Sequence, residues 1–305
     1  MGVRRCSIAA VAAAATLGLA LLAPVGSGSP PRLVIGKDNL VAPLEIPANP
    51  RPGPVPGCRR PSRKCVRVTA QRLAKLENRF GCDHRAVFAT TYRVLTQALL
   101  RRVRREPGFF RFARYFFFED GLFADVYIAT TNAYPRGERI SPAWQIAFEA
   151  AAARDLAASQ DMLLGINAHV QNDMPFVLAA LGTKTRRGVS RKADHDRANE
   201  VLAEAYQQVV DAVERRYDPS IGVTNPDGVP ADDIAGLELV KGWREEVWRN
   251  AGRLIATRND PDAHSRVAEE IEENAASWAR GIAASRTPGY GAQRDAYCEA
   301  RRGGG

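Results

Sequence analysis

The stretch Leu163–Leu178, LLGINAHVQNDMPFVL, constrains this chain more than any other. Its apolar ends call for burial. Between them lie Asn167, His169, Gln171, Asn172 and Asp173, and polar groups removed from water cost free energy unless they are paired. At helical pitch His169 and Asp173 sit one turn apart on one face, with Gly165 a turn earlier leaving room for something to approach. Pro175 has no amide hydrogen and crowds the carbonyl of Gln171, so the helix is expected to kink or end where the polar cluster ends. The pattern predicts a buried helix carrying a polar site beside a helix break.

The remaining chain reads as further helices. Thr69 is expected to cap a helix through Leu73, Leu76 and Phe80, ended by Gly81. Asp83 caps a longer amphipathic helix to Arg105, stopped by Pro107 and Gly108. The aromatic block from Phe109 to Tyr127 must be buried on most sides or line an apolar pocket. Ser141-Pro142 is a helix start that leads, with a break expected near Ala158 to Gln160, into the central stretch. Asp194 opens a helix over Ala198 to Tyr217, Asp218 to Pro230 is a loop, and two helices follow over 231–256 and 262–285. From Thr287 to Cys298 no apolar stripe is visible. With no sustained alternation of strand type and no fixed repeat, the expectation is an all-α bundle of about seven helices in one domain.

The domain is expected over 65–298. Before it, Arg4 and Arg5 precede an apolar run from Ile8 to Ala23, the pattern of a secretory signal occupying 1–28, and 29–64 is a proline-rich extended arm. The apolar run is short against the ~20 residues a membrane-spanning helix needs, and Pro24 follows at once. Residues 299–305 are expected to form a disordered tail. Without the signal four cysteines remain, Cys58, Cys65, Cys82 and Cys298, and an even number in an exported chain points to two disulfides. Three pairings are possible. A local Cys58–Cys65 bridge is easy to close and would leave Cys82 to hold the C-terminal segment through Cys298.

The formal net charge of +9 falls to +7 without Arg4 and Arg5. Arginine-rich patches at 59–67, 101–105 and 184–192 would attract an anionic envelope polymer or phospholipid headgroups, although scattered arginines also form an ordinary solvated face. No module for reading nucleic-acid sequence is visible.

The segment Asn167–Pro175 resembles the signature NAHxxxD[LM]P of a bacterial family, many of whose members are secreted, known only as a domain of unknown function. Gly81–Tyr92, GCDHRAVFATTY, resembles that family's second signature, GCDHRAxFA. The resemblance implies a helical fold over roughly Cys65 to Cys298 and a site at the first signature, but no established reaction.

His169 and Asp173, an imidazole and a carboxylate one turn apart, could chelate one divalent metal such as zinc, or the carboxylate could orient the imidazole. His84 is the candidate third ligand, and Asn167 and Asn172 are candidates to orient ligand or water. His195 is expected to face solvent, and His264 to lie on the surface. The HxxxD-and-proline pattern is also similar to a fragment of zinc-dependent phospholipases C, although four histidines cannot furnish their multi-zinc cluster. Three functional readings stand: a metal-dependent hydrolase acting on an anionic envelope or extracellular molecule; a non-catalytic envelope-binding module in which His169 and Asp173 belong to a structural hydrogen-bond network; and a carrier of apolar ligands, which requires a cavity lined by rings of the aromatic block.

Overall fold

The Ser62 hydroxyl accepts a hydrogen bond from the Lys64 amide and starts the first helix, α1 (Arg63–Phe80). The computed structural model describes residues 61–221, 231–287 and 289–302, the side chains of 231–235 excepted. The signal-like segment, almost all of the proline-rich arm, Cys58 and most of the 218–230 loop lie outside the described residues. After α1 come α2 (Ala86–Arg105), α3 (Ala113–Ala133), a 3-10 turn (Tyr134–Arg136), α4 (Pro142–Ala153) and α5 (Ala158–Asn167). A π-helical turn (Ala168–Asp173) leads into α6 (Met174–Leu181), followed by α7 (Lys192–Arg216), α8 (Ala231–Thr257), α9 (Pro261–Ala283) and α10 (Tyr290–Arg302). The described residues contain no strand, only one isolated bridge between Lys184 and Ser190, and no helix long and apolar enough to cross a membrane.

The fold is all-α, as the patterning requires, but the helix starts and the number of helices differ from expectation. The helix expected to run from Ser141 through the central stretch is three. Ser141 does cap α4, accepting from the Trp144 amide, with Pro142 in the first turn. Arg154 then turns left-handed at φ 57°, stopping α4, and the chain restarts at Ala158. Thr69 caps nothing. Its hydroxyl bonds Asp120 of α3, and α1 begins six residues earlier at Arg63. Asp83 accepts from the Arg85 amide in the turn before α2. Asp194 lies inside α7, and its carboxylate takes the amides of Arg111 and Phe112 at the start of α3.

The C-terminal stretch without an apolar stripe is helical to Arg302. The buried positions of α10 are Gly291, Arg294 and Cys298, which recur at helical spacing but are not the residue types an apolar search finds. At Gly291 an added Cβ would lie 1.5 Å from the carbonyl oxygen of Arg154, so only glycine lets α10 approach the end of α4 so closely. The Cys82–Cys298 disulfide fixes the other end of α10 beside the start of α2. Cys65 is also disulfide-bonded.

The segment α5–π turn–α6 runs through the middle of the molecule. α5 packs on α2, α4 and α9; the π turn touches α3, α4, α8 and α9; α6 lies on α8 and α3. The main core surrounds this segment with Phe88, Tyr92, Phe118, Tyr127, Trp144, Leu164 and Leu178.

Candidate functional site

Pro175 determines the local backbone of the site. Lacking an amide hydrogen, it cannot continue the α-helical ladder, and the helix widens: the Met174 amide bonds the carbonyl of His169, five residues back. The helix is therefore re-registered, neither ended nor sharply broken, and α6 continues beyond it.

The π turn divides its side chains between two surroundings. On one side the polar groups pair with one another and with α4 and α9. Asn167 donates to the backbone oxygen of Ala275 at 2.8 Å and accepts from Gln171 at 2.7 Å, and Gln171 accepts from Asn274 at 2.9 Å. Asp173 is the hub. Its Oδ2 accepts from Trp144 Nε1 and His169 Nδ1, both at 2.9 Å, and its Oδ1 accepts from Asn172 at 2.7 Å.

On the other side Ile166, His169, Val170 and Met174 line a cavity of about 330 Å³. Its remaining walls come from α2 (Phe88, Tyr92, Leu95), α3 (Phe116, Glu119, Asp120, Phe123), α5 (Ser159, Met162, Leu163), α7 and the part of α8 from Gly236 to Arg244. The volume lies within the range of small-molecule pockets, roughly 300–1,000 Å³. The aromatic block thus does both things its sequence allowed. Phe109, Phe110, Phe117 and Phe118 are packed into the interior, while Phe116 and Phe123 face the cavity.

His169 joins the two sides. It is 2 % exposed, its ring stacks on Phe123, and the rings of Tyr92 and Phe88 pack around it. Burial lowers its pKa, an effect only partly opposed by the bond to Asp173, so the imidazole is neutral at pH 7. A neutral ring that donates from Nδ1 to a carboxylate carries its lone pair on Nε2, and that atom is buried with no hydrogen-bond partner. Tyr92 Oη and Asp120 Oδ2, on residues lining the same cavity, are also buried without a partner. Burial pushes the carboxyls of Glu119 and Asp120 up to about 7 and about 8.

The other candidate residues lie elsewhere. Asn167 and Asn172 do not line the cavity; Asn167 connects the π turn to α9, and Asn172 donates to Asp173. His84 is not brought to His169. It sits beneath α10, between Asp161 at 3.2 Å and Asp295 at 3.2 Å, with Arg294 alongside. Among the described residues no group of three or more His, Cys, Asp or Glu side chains is arranged to hold a metal ion. His195 does not face solvent: its Nε2 meets the backbone oxygen of Arg244 at 3.0 Å, and burial drives its pKa well below the usual histidine value. Its neighbours Asp194 and Asp196 suggested a wet helix start, but Asp194 is itself buried against α3. His264 is half-buried beside Thr257.

Sequence reading missed Trp144, Tyr92, Glu119, Asp120 and Arg244 as site residues. The one visible signal was the pair of acids inside the run FFFEDGLF, where the fold leaves few places for a carboxylate except beside a cavity or an ion partner. Of the arginine patches, the one on α2 is partly neutralised by α7, with Arg102 paired to Glu200 and Glu204 and Arg105 to Glu204.

No curated protein and no solved structure matches the chain. A family model does match, over residues 66–285, and on that match the chain belongs to the family of unknown function DUF5995.

Proposed function

We propose that this protein binds a small, mostly apolar molecule in the cavity between the π turn and α2, α3, α7 and α8, and that His169 Nε2 accepts a hydrogen bond from a donor group on that molecule. The observation that carries the reading is the unpartnered Nε2 on a ring that lines an apolar cavity. A buried acceptor without a partner costs about 1–3 kcal/mol, and a bound hydroxyl would recover it. Asp173 and Phe123 hold the ring in one orientation, so the acceptor is presented already ordered.

In this reading Asp173 sets the tautomer of His169. With three donors already on its two oxygens it is better suited to orienting the ring than to coordinating a cation. The envelope-binding module with a structural network shares half of this account, since Asn167, Gln171 and Asn274 do fasten the π turn to α9. We further propose an extracytoplasmic location, supported by the Cys82–Cys298 disulfide.

The test is calorimetric titration with decanol, whose chain suits an apolar cavity and whose hydroxyl can donate. Saturable binding that is lost when Leu99→Trp fills the cavity, and weakened by His169→Phe, supports the proposal. A folded wild-type protein that takes up no decanol, or a Leu99→Trp variant that binds it unchanged, overturns it.

A further inference from the structure

Arg244 of α8 is 5 % exposed and lines the cavity. Its Nε donates to Asn199 at 2.7 Å, one terminal nitrogen to the backbone oxygen of His195, and the other to the sulfur of Met174 at 3.5 Å. All three acceptors are neutral. Among the described residues no carboxylate comes within ion-pair distance of this guanidinium, whereas the other deeply buried arginine, Arg294, is paired with Asp161 at 2.8 Å and Asp218 at 3.5 Å. A buried guanidinium cannot shed its charge at neutral pH, and an uncompensated buried charge is costly. Two acids act on it without pairing: Glu119, across the cavity, whose carboxyl burial pushes up to about 7, and Asp196, which is exposed and paired with Lys192.

A guanidinium has five N–H donors, and three contacts leave one on each terminal nitrogen. Those two donors can serve the two oxygens of a carboxylate, the kind of group arginine binds best. The walls around Arg244 are apolar, with Met174, Ala198 and Val240 among them, so the rest of the molecule must be hydrocarbon-like.

Resting on the binding reading above, we propose that the ligand is an amphiphile with an apolar body, a hydroxyl-type donor for His169 and a carboxylate, and that Arg244 receives the carboxylate. A purely structural role for Arg244, bracing α8 against α7 through Asn199 and His195, would give the cavity no preference for charge.

The test compares decanoate, decanol and decylamine by calorimetry on the full chain, at pH 6 and pH 8. Decanoate is expected to bind about tenfold or more tighter than decanol, as a charge-assisted bond requires, and decylamine most weakly. The preference should be larger at pH 6, where Glu119 is protonated. Arg244→Gln should cost decanoate most of its advantage and decanol far less. Should that variant fail to fold, Glu119→Gln provides the second arm and is expected to tighten decanoate at pH 8. Equal affinity for decanoate and decanol, or a preference for decylamine, would overturn the carboxylate assignment and leave the apolar-binding reading standing. Failure of all three probes to bind would remove both.

Discussion

Phe123 lies flat against His169, ring centroids 3.4 Å apart and planes 7° from parallel. The contact joins the aromatic block of α3 to the π turn and holds the imidazole from its face, while Asp173 holds it from Nδ1. A ring gripped in two directions cannot flip to exchange its nitrogens. The orientation of Nε2 is therefore a property of the packed interior, and changes to groups that never touch a ligand should alter it.

Asp173→Asn should be destabilising. The carboxylate serves three donors, and an amide offers one oxygen while adding two N–H groups of its own, so at least one buried donor among Trp144, His169 and Asn172 loses its partner. The expected loss is about 1–3 kcal/mol for each donor left unpaired, measured by urea unfolding. A variant as stable as wild type would mean that the hub contributes little.

Gly165→Ala should disturb the cavity from behind. The new Cβ would fall 2.3 Å from Cγ of Phe88, a ring that lines the cavity and packs on His169. The space Gly165 leaves belongs to Phe88. Overpacking of this kind typically costs about 1–3 kcal/mol, and displacement of Phe88 should weaken decanol binding as well. Unchanged thermal stability together with unchanged affinity would refute the prediction.

Stability should fall as pH rises above 6.5. Burial raises the folded pKa of Glu119 from 4.5 to about 7 and of Asp120 from 3.8 to about 8, so the folded chain keeps protons that the unfolded chain has released. His169 and His195 act in the opposite sense, since both are lowered from 6.5, but their effect is spent once the unfolded histidines have lost their protons. Glu272, raised from 4.5 to about 7, acts in the same sense as the other two acids, and the histidines fade out by about pH 7.5, so the net loss between pH 6.5 and 8 should be about 2 kcal/mol. Asp120→Asn should remove the largest single share of that slope in denaturation curves taken across the range. A profile that is flat or rising in wild type would contradict the burial of these carboxyls.

The Cys82–Cys298 bridge closes a separation of 216 residues, and α10 is fastened elsewhere by Tyr290, Gly291, Arg294, Asp295 and Tyr297. Replacing both cysteines by serine should cost about 2–5 kcal/mol. Hydrogen exchange should rise first in 290–302 and around His84, whose partner Asp295 lies on α10. Uniform protection in the variant would show that α10 holds without the bridge.

Much of the fold was legible because helices announce themselves by spacing and capping: Ser141-Pro142 opens α4 where its residues require, and Gly81 closes α1. α10 was not legible, because a glycine, an arginine and a cysteine occupy its buried stripe, and the reason for each lies on another element. The His169–Asp173 pair could be read from its spacing. The cavity could not, since its polar lining is gathered from α2, α3, α5, α7, α8 and the π turn, and nothing local marks Tyr92 or Arg244 as lining one cavity with His169. The placement of His84 failed for the same reason. Its neighbours are 77 and 211 residues away, at Asp161 and Asp295, and no spacing rule reaches that far.

In the proposed function His169 Nε2 is a neutral acceptor that takes a ligand's donor. Nitrogen-15 NMR of the imidazole, followed while decanol is titrated at pH 7.5, tests it most directly. The expected result is the Nδ1–H tautomer before addition, then an upfield movement of the Nε2 resonance that saturates with binding while Nδ1 stays nearly fixed. A protonated ring at the outset, or an Nε2 resonance that stays still while calorimetry shows the cavity filled, would contradict it.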